Sequence, residues 1–185
     1  MNRKMLDKLL SSAGLLVAIM LFTASFGAAW ANSFIHSQVH DQLAAEKINF
    51  PASGTAGLTS LPAADQAKVA QYAGQQLLTG AQAEVFADNY IAVHLKLIGG
   101  GKTYAELSSA SLAAPNDQVL VGQVQTVFRG ETLRGLLLNA YAFDTMATIA
   151  LYAAYISFIG GVIMLILSGL GFWHAGTVKP ARRSK

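Results

Sequence analysis

The sequence predicts an all-α membrane protein, in which two transmembrane helices extend into a small helical extracytoplasmic domain. The chain of 185 residues is 53% hydrophobic and only 12% charged, which is more apolar than an ordinary soluble domain. Its apolar residues concentrate in residues 9–31 and 145–173, and each stretch exceeds the roughly 20 helical residues that cross a bilayer core. The segment between them, residues 32–144, has helical periodicity and no convincing strand pattern.

Charge predicts the orientation of the two spans. Residues 1–8 carry a net charge of +2 and residues 174–185 carry +4, whereas the segment between the spans carries −3. The positive-inside rule places both basic ends in the cytoplasm and residues 32–144 outside a bacterial plasma (inner) membrane. Because the basic residues are accounted for by topology and by anionic lipid head groups, membrane lipids are the expected partner and nucleic acid is not.

A cleaved signal peptide is the main alternative for the N-terminus. The basic start, the apolar run and the small residues at Ala29 and Ala31 fit that pattern. Against it, the run is longer than the usual apolar region of a signal peptide, and Trp30 stands where an interfacial aromatic anchor is expected. Trp173 marks the corresponding place at the end of the second span.

Helix signals divide the segment between the spans. Apolar residues at helical spacing from Asn32 predict that the first span continues outward, and the breakers around Phe50 and Pro51 end it. Further helices are predicted over residues 63–78, 81–98 and about 103–112. From Asp117 onward one long helix is predicted to run into the second span.

Small residues in the apolar stretches predict close helix packing. The candidate packing residues are Gly14 and Ala18 in the first stretch, with Ala153, Ser157, Gly161 and Ser168 in the second. Such seams let helices approach closely in lipid. They would join the two spans to each other, or either span to another protomer or a larger complex. Neither hydrocarbon stretch contains Asp, Glu, Lys, Arg or His, which argues against an ion pathway.

Three histidines are the candidate metal ligands. His36 and His40 are four residues apart, so they share a helix face, and His94 is the third histidine between the spans. The alternative is that His36 and His40 are polar residues on a solvated helix face. The glycines before Lys102 and Thr103 suggest a phosphate loop, but position 96 is a lysine where that motif needs glycine, so a helix end and turn are favoured.

No catalytic signature is present. The chain has no cysteine, no Gly-x-Ser-x-Gly elbow and no His-Glu-x-x-His pair. We therefore predict no catalytic residue and no cofactor, and a non-enzymatic role is favoured.

Three segments, AAEKI (residues 44–48), GGGKTYAEL (99–107) and RGETLRGLLLNAYAF (129–143), resemble a family of small two-span membrane proteins of actinobacteria. The resemblance covers nearly the whole chain and implies the two-span topology. Family members are often labelled aromatic ring-opening dioxygenases, an activity that needs two histidines and a carboxylate around iron. No catalytic residue is carried over from the family.

Three functions are considered. The first is a membrane-anchored accessory or scaffold protein that contacts itself or a larger cell-envelope or respiratory complex, marked by an exposed apolar helix face. The second is a ligand- or lipid-binding module with a pocket lined by Phe86, Tyr90 and Ile91. The third is a metal-dependent enzyme or sensor, which requires the three histidines to converge.

Overall fold

A computed structural model describes Arg3–Thr177, so most of the predicted basic tail and the first two residues lie outside the described residues. Within the described part the chain is helical, with no strand and only one isolated bridge, between Asn49 and Gln76. The helices are α1 (Arg3–Glu46), α2 (Ala56–Thr59), α3 (Ala63–Ala70), α4 (Gly80–Val85), a π-helical segment (Phe86–Ile91), α5 (Ala92–Ile98), α6 (Tyr104–Ala113) and α7 (Gln118–Thr177). The all-α prediction is confirmed.

The first and last helices are the long ones, with 44 residues in α1 and 60 in α7. Both are long and apolar enough to cross a membrane. As predicted, each continues beyond its apolar stretch, α1 as far as Glu46 and α7 back to Gln118. Glycines at 122, 130 and 135 do not interrupt α7, because an isolated glycine lowers helix propensity by only about 1 kcal/mol.

The chain forms two compact units, and the long helices contribute residues to both. The paired-helix unit consists of Met1–Phe34 and Ala147–Lys185, and the core unit consists of Ile35–Met146. The predicted limits of the central domain, residues 32 and 144, stay a prediction.

Large apolar side chains fill the core unit. Phe50 lies at the centre of an aromatic group, with its ring centroid 5.1 Å from that of Phe86 and 5.2 Å from that of Tyr72. The buried cluster around it comprises Val39, Leu43, Leu58, Leu61, Val69, Leu77, Ala83, Ala87, Ile91, Leu95 and Leu137. Burial of such side chains is the main source of stability in a water-exposed domain.

Local signals explain where the short helices begin and end. Thr79 and Gln82 form a capping box at the start of α4, and Thr103 and Glu106 form another at the start of α6. Glycines follow α5, where Gly100 and Gly101 have φ values of 59° and 80° that favour glycine.

One helix prediction is wrong in extent. The helix predicted over residues 63–78 ends at Ala70, and Gly74 adopts a positive φ of 72° in the turns that follow. The backbone N–H of Leu77 then donates to the Ile48 carbonyl, and the Leu77 side chain is fully buried. Tertiary pairing with the chain after α1 therefore overrides the local helix propensity.

Candidate interaction site

The three candidate metal ligands lie in the core unit and have separate partners. His36 Nδ1 is 2.6 Å from Asp144 Oδ1, and His40 Nδ1 is 3.2 Å from Asp41 Oδ1. His94 Nδ1 is 2.7 Å from the Tyr90 carbonyl oxygen. Among residues 3–177, no group of three or more His, Asp or Glu side chains is placed to hold a metal ion. The structure therefore does not bring His36, His40 and His94 together.

The glycine-rich segment is a turn between α5 and α6. The Lys102 N–H donates to the Gly99 carbonyl, and the Thr103 hydroxyl accepts from the Glu106 N–H. The Glu106 carboxylate accepts from the Thr103 N–H and from the Thr103 hydroxyl, and these two hydrogen bonds lower the pKa of Glu106. Because this carboxylate already occupies the helix start, the place where a phosphate would bind is taken.

The side chains expected to line a ligand pocket are part of the packed core. Phe86 and Ile91 are buried, and the Phe86 and Tyr90 rings are 4.8 Å apart. Neighbouring aromatic rings occupy the space that a ligand would need.

The segment of α7 from Arg129 to Arg134 contains two arginines and a glutamate, and Arg134 forms ion pairs within the chain. Arg134 donates to Asp88 Oδ1 through Nη2 at 2.8 Å and through Nε at 3.2 Å. Its Nη1 is 3.4 Å from Glu131 Oε2. The hydrogen bond to Asp88 raises the pKa of Arg134, so the guanidinium is engaged within the chain.

An apolar groove lies in the core unit between the end of α1 and the early part of α7. Its volume is about 300 Å³. The α7 wall is apolar, and Leu136 on it is 61% exposed, with Phe143 and Leu133 also exposed. The lining residues are Val39, Gln42, Leu43, Glu46, Ile48, Leu133, Leu136, Leu137, Asn139, Ala140 and Phe143. The sequence predicted helices through both of these segments but did not indicate a groove between them.

Small residues form the contact in the paired-helix unit. On α7 the buried positions are seven residues apart, at Ala147, Ala154, Gly161, Ser168 and Ala175, and on α1 they include Ser11, Gly14, Ala18 and Ser25. Seven-residue spacing keeps one side of each helix against its partner over many turns. Gly14, Ala18, Gly161 and Ser168, four of the candidate packing residues, are among these buried positions.

The four-residue repeat predicted for α7 is only partly matched. Ala153 is exposed and Ser157 is half-buried, whereas Ala154 is buried and its carbonyl accepts from the Ser25 hydroxyl at 2.9 Å. Asn32 makes a similar bond, with Nδ2 donating to the Ala147 carbonyl at 2.8 Å. A seven-residue period, and not a four-residue one, selects the contacting face.

Both tryptophans expected at membrane interfaces have exposed side chains. Trp30 stacks on Phe34 with ring centroids 5.4 Å apart. Exposure of Trp30 and Trp173 suits contact with lipid head groups.

No protein-family model, curated protein or solved structure matches this chain. The resemblance to two-span actinobacterial proteins stays a prediction.

Proposed function

We propose that this protein is a membrane-anchored accessory or scaffold protein, which acts through helix–helix contacts with another protein chain of a cell-envelope or respiratory complex or with a second copy of itself. The observation that carries the proposal is the exposed apolar wall of the groove on α7. Exposed apolar strips rimmed by polar residues are typical of protein interaction sites.

Exposure of the long helices supports the membrane anchor. In the most apolar 18-residue stretch of each helix, only 22% of α1 and 11% of α7 is buried inside the protein. The core helix of a water-soluble protein would be mostly covered, because leaving so much apolar surface in water is strongly unfavourable. Lipid is the environment that removes this penalty, and the charge distribution favours cytoplasmic termini with the core unit outside.

The dimensions of the groove suit an apolar helix from the partner. Leu133 to Phe143 span about 15 Å along α7 at about 1.5 Å per residue, which is close to three helical turns. The floor is apolar, while Gln42, Glu46 and Asn139 supply polar groups at its edges. A helix with apolar residues at spacings of three and four would place one stripe against this floor.

The competing functions have less support. The residues proposed for a ligand pocket are packed against aromatic neighbours, and the three histidines have separate partners. The groove, by contrast, leaves large apolar side chains exposed outside the apolar stretches.

Gentle detergent extraction followed by native mass measurement tests the accessory role. We expect the wild-type protein to travel with a stoichiometric partner, and Leu136→Glu to release that partner by placing a charge on the groove wall. Val119→Glu is the matched control, because Val119 is exposed on the same helix outside the groove. A lone monomer, or a partner that Leu136→Glu retains, would contradict the proposal.

The absence of cysteine makes a direct topology test possible. Single cysteines at Ser109→Cys, in the core unit, and at Thr177→Cys, at the end of α7, occupy exposed positions. A membrane-impermeant maleimide should label the first in intact cells and the second only after permeabilisation. The opposite pattern would overturn the orientation, and the intact mass would reveal cleavage after Ala31.

A further inference from the structure

A cavity lined by both polar and apolar side chains lies at one end of the paired-helix unit. Its volume is about 250 Å³. Four polar side chains line it, Asp7 and Ser11 from α1 with Ser168 and His174 from α7. Leu10, Met164 and Leu167 supply apolar walls, and Gly14 and Gly171 complete the lining.

The two glycines make room for the two hydroxyl groups. A Cβ atom at Gly14 would lie 2.5 Å from Ser168 Oγ, and one at Gly171 would overlap Ser11 Oγ. Both serines are nearly inaccessible, with 5% of Ser11 and 4% of Ser168 exposed. Each serine therefore faces a glycine on the opposite helix. The hydroxyls of Ser11 and Ser168 and the carboxylate of Asp7 line the same cavity.

The hydrogen-bonding capacity of this cluster is not used up by the protein. Ser11 Oγ donates to the Asp7 carbonyl at 2.7 Å. Asp7 Oδ2 and Ser168 Oγ are buried, yet neither has a hydrogen-bond partner among residues 3–177. His174 Nε2 is 3.9 Å from Asp7 Oδ2, which is too long for a hydrogen bond. A buried polar atom without a partner is unfavourable, so the cavity favours a bound donor.

We propose that this cavity binds a primary ammonium group, presented by the head group of a phosphatidylethanolamine lipid or by a free amine. A primary ammonium carries three N–H donors and a positive charge, and therefore matches an acceptor-only carboxylate oxygen together with a hydroxyl oxygen. The inference rests on the membrane anchor proposed above, and not on the groove.

The lipid is the better source because Lys4 precedes Asp7 by three residues, which places the two side chains on the same face of α1. A lysine side chain at this position suits the phosphate of the same lipid, while Asp7 accepts from its ammonium group. Leu10, Met164 and Leu167 suit the beginning of the acyl chains.

Competing explanations make different predictions. Water alone would satisfy Asp7 and Ser168 without selecting a lipid. Ser168 could instead rotate and donate to the Met164 carbonyl one turn back, as serines in helices often do. Neither explanation distinguishes a primary ammonium from the quaternary ammonium of phosphatidylcholine, which has no N–H donor.

The test is lipid retention by the full chain in nanodiscs of phosphatidylglycerol mixed with either phosphatidylethanolamine or phosphatidylcholine, followed by native mass spectrometry. We expect selective retention of phosphatidylethanolamine, reduced about tenfold or more by Asp7→Asn, since a charge-assisted hydrogen bond is lost. Ser168→Ala should reduce retention less. Asp41→Asn, a substitution of an exposed acidic residue on the same helix, is the matched control.

Free ethanolamine at millimolar concentration separates the two sources. Binding to delipidated protein would assign the site to free amines, whereas binding of the intact lipid alone would assign it to the head group. Equal retention of both lipids, or retention that neither Asp7→Asn nor Ser168→Ala changes, would overturn the proposal. Helix content by circular dichroism shows that each variant folds, and membrane fractionation tests the anchor separately.

Discussion

The two units of this protein use opposite rules of packing. In the core unit the large apolar side chains are inside, and Leu77, Leu107 and Val69 are almost fully buried. In the paired-helix unit the small residues Ala18, Ala154 and Gly161 are inside, while large ones such as Leu16 and Ile156 are exposed.

The proposed membrane anchor explains this difference, because it places the two units in different solvents. Water drives large apolar groups together, so a water-exposed unit is stable when it buries them. A leucine side chain is solvated equally well by lipid tails and by another leucine, so burying it gains little in a membrane. Helices in lipid therefore associate through close backbone approach and hydrogen bonds. The bonds from Ser25 to the Ala154 carbonyl and from Asn32 to the Ala147 carbonyl fit that second rule.

The largest expected effect breaks the packing of the core unit. Leu77→Ala should lower the free energy of unfolding by about 2–5 kcal/mol, because it leaves a cavity at a fully buried site. Leu16→Ala, at a position that is 64% exposed, should change little in detergent. Denaturant titration of both variants compares their free energies of unfolding. Similar losses of stability in the two variants would show that both units depend on buried large apolar side chains.

The next effect concerns the small-residue seam. A Cβ at Gly161 would already lie 3.0–3.2 Å from the Phe22 ring, so Gly161→Leu should overpack the seam and destabilise it by about 1–3 kcal/mol. Gly169→Leu is the matched control, since no described atom outside its own helix lies within 4 Å of a Cβ there. Titration with a denaturing detergent, followed by circular dichroism, measures both. Equal stability of the two variants would argue against the seam.

A smaller effect is expected at the helix start of α4. Thr79→Ala removes the hydroxyl that accepts from the Gln82 N–H, and should lower the stability of the core unit by about 1 kcal/mol. Thr126→Ala, which removes only an exposed bond to the Gly122 carbonyl, should stay within about 0.5 kcal/mol of wild type. Thermal unfolding compares them, and an unaffected Thr79→Ala would show that the cap is dispensable.

The smallest effect is a pH dependence at α6. Because hydrogen bonds from Thr103 lower the pKa of Glu106, its carboxylate stabilises the folded state above the pKa that it has in the unfolded chain. This contribution is lost as pH falls through the lowered, folded-state pKa. The difference in unfolding temperature between wild type and Glu106→Ala should therefore shrink on acidification. If the difference in unfolding temperature grew on acidification, the charged carboxylate of Glu106 would not be the stabilising form.

Much of the fold could be predicted from the periodicity of apolar residues and from helix-breaking residues. The long apolar stretches, together with apolar positions at helical spacing, predicted α1 and α7, and the glycines after Ile98 predicted the end of α5. The early end of α3 could not be predicted from the sequence, because the backbone partners of Leu77 and Gln76 lie on the chain after α1. Local sequence contains no information about such distant partners.

The candidate sites divide in the same way. Small residues such as Gly161 and Ser168 were recognisable as packing positions, but the preference for Ala154 over Ala153 was not. The pairing of His36 with Asp144, which are far apart in the chain, also could not be read from the spacing of His36 and His40.

The sequence by itself determined that the protein is helical, that two helices are apolar enough for a membrane, and that its ends are basic, since composition and periodicity are properties of the chain alone. Only the tertiary structure decided which faces meet, where the groove opens and which polar atoms of Asp7 and Ser168 lack hydrogen-bond partners among residues 3–177. These features depend on distances between residues far apart in sequence, and such distances exist only after the helices have packed.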